Sequence, residues 1–214
     1  RVGNDLPIVL SVHVLTFERV PMKRIFGQLR LHGCFWFGIL LFPLHNFLWL
    51  GTLLFPLAAK AAPAPLFDAV LPDIQQQLPD DLQMRLPSYV PEQPEPLYPS
   101  VDVGETGLVV YLSPDPDCDR SVQPDCMTVG GAAVMHPTAF ADWQQRHQDE
   151  LTPVALSNNI TGRTLTVDYG EGEIRYVAWQ QDQTGYVLGA VAEGISQDEF
   201  LRVANSMIES EPLK

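Results

Sequence analysis

The chain has 214 residues, with 13 Lys plus Arg against 26 Asp plus Glu and a formal charge of −13. That excess of negative charge repels phosphate backbones and anionic lipid surfaces, which argues against nucleic-acid binding and against docking on a membrane surface. It leaves room for a basic protein partner or for cations.

Residues 1–21 show no clear period or boundary signal and precede the first methionine, Met22, so they are read as lying outside the native protein. Residues 22–61 carry Lys23, Arg24 and Arg30, then an uncharged apolar run from Leu31 to Ala59, then Ala59-Lys60-Ala61. A basic start, an apolar stretch and small residues at a cleavage position define a signal peptide, cut here after Ala61. An uncleaved N-terminal anchor is the alternative, because about 20 apolar residues suffice to span a bilayer. In either case the positive-inside rule puts the chain beyond Ala61 outside the cytoplasm, in the periplasm or secreted. That portion retains 7 basic and 24 acidic residues, a balance of −17.

Residues 62–100 form a Pro-rich lead, with a short helix expected between Pro65 and Pro79, an edge strand at Leu82 to Leu86, and an extended linker from Pro91 to Pro99. The domain proper is expected over residues 101–214, a length that suits one core. Gly107 to Leu112 and Met127 to Met135 read as strands, Pro137 to Glu150 as a helix with Phe140, Trp143 and His147 on one side, and Arg163 to Tyr169 as an alternating strand. The chain closes with a hairpin, Ile174 to Trp179 and Tyr186 to Val191, and a helix from Ser196. Ser196 and Glu199 are spaced for a capping box, and Ile195 and Phe200 for a hydrophobic staple. Strands joined by short turns imply an α+β fold, an antiparallel sheet with helices packed on one face.

Cys118 and Cys126 lie between two strands expected to pair and are read as a disulfide that closes that hairpin, worth about 2.5 kcal/mol by chain entropy. Their spacing is not the Cys-x-x-Cys of a redox pair. Asp115, Asp117, Asp119 and Asp125 crowd the same loop, but the Gly at the sixth position and the Glu at the twelfth of a calcium loop are missing. His136 and His147 are too far apart for a helical zinc pair. No nucleophile elbow, phosphate loop or His-Glu-x-x-His occurs, so no catalytic residue, cofactor or metal site is assigned and the chain is read as non-enzymatic.

The segment from Tyr176 through Gly185-Tyr186 to Ser196-Gln197-Asp198-Glu199-Phe200 and Met207 resembles the close of an uncharacterised bacterial extracytoplasmic domain associated with anti-sigma control. The wider pattern, a leader, a Pro-rich lead with Gln75-Gln76-Gln77-Leu78-Pro79 and a cysteine-bearing hairpin, is similar to secreted cyanobacterial proteins of unknown function. The resemblance implies an envelope location and carries no catalytic residues with it. Two functions are therefore expected: binding of a protein partner, or help in assembling an envelope complex; and, as the alternative, carriage of a lipid or other apolar ligand between sheet and helices. In the second, Trp143, Trp179 and Tyr186 are the candidate lining.

Overall fold

The computed structural model describes residues 60–214 apart from 121, 124, 125 and 171, and the expectations for the leader and its anchor alternative lie outside those residues. The strands are β1 Tyr98–Gly104, β2 Gly107–Ser113, β3 Gly130–Met135, β4 Thr152–Ala155, β5 Thr161–Asp168, β6 Glu173–Gln181 and β7 Thr184–Val191. They form one seven-stranded sheet in the order β1-β2-β3-β7-β6-β5-β4, antiparallel at every pairing. The helices are α1 Leu71–Gln77, α2 Pro137–Arg146 and α3 Gln197–Glu209. The α+β architecture is therefore as expected.

The central strands β2, β3 and β7 are nearly unbroken apolar runs, and such strands need cover on both faces. Alternation sends Leu108, Val110, Ala132, Val134, Val177, Trp179, Tyr186 and Leu188 to one face, where α1, α3 and the lead segment close over them. Val109, Tyr111, Ala133, Met135, Tyr176, Ala178 and Val187 go to the other, with Leu165 of β5 and with Phe140 and Trp143 of α2. The expected single helical face is thus shared by α1 and α3, and α2 takes the opposite one. The side chain that Gly185 lacks leaves the space in which the Phe140 ring sits, which lets α2 come down on β7.

The lead does not hang off this domain. Ala64, Phe67, Val70, Ile74, Leu78, Leu82, Met84 and Leu86 are buried in the same cluster as α3. The edge strand expected at Leu82 to Leu86 is instead an isolated bridge, Met84 with Leu213, so this stretch straps the C-terminus rather than extending the sheet.

Both sheet edges escape a reading of the sequence for one reason. β1 contains Pro99 and β4 contains Pro153, residues that remove a ladder donor and demote a strand pattern, yet that are well suited to an unpaired edge. The β6–β7 hairpin turns at Asp182 and Gln183, both at positive φ of 52° and 66°, as a two-residue turn with the right-handed strand twist requires. The α2 helix stops at Arg146, short of the expected Glu150.

At α3 the Ser196 hydroxyl accepts from the Glu199 amide at 3.3 Å, but the capping box is half made. The Glu199 carboxylate turns away to accept from the Tyr89 hydroxyl at 2.8 Å, beside Arg202, whose guanidinium lies 3.8 Å from the centre of the Tyr89 ring.

Cys118 and Cys126 are bonded, with their Cα atoms 5.6 Å apart, across the loop between β2 and β3. Ser113 Oγ donates to the Met127 carbonyl at 2.7 Å and ties the two ends of that loop together. Replacing both cysteines with serine is expected to lower the unfolding free energy by about 2.5 kcal/mol, because the closed loop is short and the constraint acts on the unfolded chain. Urea unfolding of the pair variant and of the wild type, each with and without reductant, checks this: reductant should move the wild-type midpoint toward that of the variant and leave the variant where it is.

Candidate functional site

On the face covered by α3 the sheet is thin in side-chain volume. Gly130 and Ala132 of β3 lie directly across from Ala190 and Leu188 of β7, so small residues meet small or branched ones at the sheet centre. Val110 and Leu112 of β2 continue this floor. Phe200 and Val203 of α3 form the roof, and Val90, Pro91 and Leu97, from the chain that runs up to β1, form a wall. Between them lies a cleft of about 190 Å³. Among the described residues its lining has no ionisable side chain, and Gln93 is the one polar side chain on it.

The wall is held onto α3 by polar contacts outside the cleft. The Tyr89 amide donates to Ser206 Oγ at 3.2 Å, and Ser88 Oγ donates to the Ser206 carbonyl at 3.4 Å. The hydrogen bond to Glu199 raises the Tyr89 phenol above its ordinary pKa, so that side chain stays a neutral donor. Apolar residues thus shape the cleft, and hydrogen bonds outside it fix its wall on α3.

The three aromatic residues proposed as lining are not brought together. Trp179 and Tyr186 are a directly opposed cross-strand pair, stacked with centroids 5.4 Å apart and 14° between planes, and both are buried in the core beside the cleft rather than on it. The Tyr186 hydroxyl donates to the Gln83 carbonyl at 2.7 Å, and burial raises its pKa. Trp143 lies across the sheet, stacked on Phe140 at 6.3 Å and edge-on to Tyr176 at 6.5 Å.

A second, much smaller hollow of about 20 Å³ sits on the α2 face, floored by Gly131 and Gly189. These glycines are the cross-strand partners of Tyr111 and Tyr176, whose rings lie over the bare backbone. Such pairing fills a glycine's missing side chain from the neighbouring strand. Burial, then the hydrogen bond with Tyr169, pushes the Tyr176 phenol well up.

His136 caps α2, its Nδ1 accepting from the Thr138 amide at 3.5 Å, and the His147 ring lies tilted against that of Trp143, centroids 5.0 Å apart. Among the described residues no group of three or more His, Cys, Asp or Glu could hold a metal ion, and no helix is long and apolar enough to cross a membrane.

The residues of the cleft floor escape notice in the sequence because each reads as an ordinary strand residue. The signal is present in Gly130-Gly131-Ala132-Ala133 and Gly189-Ala190, but it means a hollow only once β3 and β7 are known to pair. Fold and site together define an α+β domain with a seven-stranded antiparallel sheet and one apolar cleft under its C-terminal helix. No family model, curated protein or solved structure matches this chain.

Proposed function

We propose that this is an exported, non-enzymatic binding domain that holds an apolar ligand, or the apolar part of one, in the cleft between α3 and the sheet. The observation that carries this reading is the cleft itself, a concave site whose walls present apolar side chains and backbone. The leader pattern, the resemblance to extracytoplasmic domains and the disulfide support the compartment, since such bonds persist outside the reducing cytosol. The protein-partner reading has less to stand on. Of the exposed large hydrophobics, Tyr98 and Val103 lie on β1, Val122 and Met127 in the loop between β2 and β3, and Tyr169 just past β5, so they fall on three parts of the fold, whereas a docking surface needs a contiguous patch.

Filling the cleft tests the proposal. Ala190 faces it from β7, opposite Gly130, and Ala190→Leu adds branched volume where there is space. Uptake of an environment-sensitive apolar dye is expected to weaken at least about tenfold, with the melting temperature held or raised, because the new methyls meet void rather than packed atoms. Unchanged dye affinity in a folded Ala190→Leu protein would show that the cleft is not the binding site.

A further inference from the structure

The part of the chain after Ala61 has 7 basic residues, and the use to which each is put separates one from the rest. Arg85 pairs with Asp182 and Lys214 with Asp80. Arg120 and Arg202 lie over the rings of Tyr111 and Tyr89. Arg146 and Arg163 are exposed to solvent. Arg175 alone is partly buried with neither a carboxylate nor a ring as its partner among the described residues.

Its position is specific. Arg175 is the cross-strand neighbour of Ala190 and shares a sheet face with Val177 and Trp179, the face that floors the cleft. Its guanidinium donates to the Ile195 carbonyl at 2.8 Å. Ala190 and Ile195 both line the cleft, so Arg175, though not itself part of the lining, flanks the cleft beside Ile195, held by one hydrogen bond and with no other partner among the described residues. In a chain so acidic, a partly buried cation with no ion-pair partner among the described residues costs desolvation that a bound anion would offset.

Resting on the reading of the cleft as a binding site, we infer that its ligand is an anionic amphiphile: one apolar chain in the cleft, with a carboxylate or phosphate head on Arg175. The size of the cleft agrees with a single chain. Its volume of about 190 Å³ is small beside the roughly 300–1,000 Å³ of pockets for drug-sized molecules, so the paired tails of a phospholipid exceed it.

Displacement of the apolar dye from the exported protein by decanoate, decyl phosphate and decanol separates the head group from the chain. One or both anions should compete about tenfold or more better than the alcohol, the gain expected of a charge-assisted hydrogen bond, and which anion does so distinguishes a carboxylate from a phosphate head. Arg175→Gln should abolish that preference and leave decanol unchanged, while Arg175→Lys should keep most of it. Equal competition by all three ligands on the wild type would overturn the anionic head and leave the apolar cleft standing. Failure of every ligand, decanol included, would remove the cleft reading and this inference with it. The wild-type comparison decides between these outcomes even if Arg175→Gln does not fold.

Discussion

Trp179→Ala is expected to lower the unfolding free energy by about 4 kcal/mol, a large share of the roughly 5–15 kcal/mol that holds a domain folded. Trp179 is 1% exposed, stacks on Tyr186 and packs in the cluster that joins the sheet to α1 and α3. Truncation removes the ring and leaves a void bounded by strands that cannot collapse without breaking their ladder. Trp179→Phe should cost far less, about 1 kcal/mol. Most of the volume stays, and the indole Nε1, buried with no protein partner among the described residues, is removed rather than stranded. Urea unfolding followed by far-ultraviolet circular dichroism measures both without relying on the lost indole. Equal losses for Ala and Phe would mean that the indole N–H, not the ring volume, matters. Because Trp179 does not line the cleft, dye affinity well below the melting temperature should survive in either variant.

That expectation reverses the lining role that the sequence alone suggests for this residue, and the reason is physical. An aromatic on a strand signals burial, and the sequence does not say whether it is buried against protein or against a ligand. Trp179 and Tyr186 fill their space with each other, whereas the hollow forms where Gly130, Ala132 and Ala190 supply too little volume. Large residues announce themselves in a sequence; the absence of volume depends on pairing register, which is a long-range property. The same division runs through the fold. The β6–β7 hairpin, the cap and apolar stripe of α3 and the cysteine loop are legible because their signals are local. The edge strands β1 and β4 are hidden by their prolines, and the lead's place in the core by its lack of a regular period. Two-faced cover could have been read from the unbroken apolar runs of β2, β3 and β7.

Arg85→Met is expected to cost about 3 kcal/mol, from a residue that the sequence places in an unremarkable polar and apolar alternation. Its side chain is buried and reaches across to the end of α3. There Nη1 donates to the Ser210 carbonyl and, at 3.4 Å, to that of Ile208, while Nη2 contacts the Asp182 carboxylate at 3.3 Å in the hairpin turn. The last carbonyls of a helix have no intrahelical donor and carry the negative end of its dipole, so a guanidinium is a favourable partner for them. Arg85 thereby ties the lead, the C-terminal helix and the β6–β7 turn at one point. Methionine keeps the length and apolar bulk of the stem but leaves two carbonyls without their donor, each worth about 1–3 kcal/mol when buried. The Asp182 contact contributes little by comparison, because that carboxylate is 62% exposed and water competes for it; Asp182→Asn should cost under about 1 kcal/mol. Lysine at position 85 should fall between, since a single ammonium cannot reproduce the planar fork. The three variants, compared by urea unfolding, separate the carbonyl cap from the ion pair: if Asp182→Asn proves as damaging as Arg85→Met, the charge pair and not the helix cap holds this corner together.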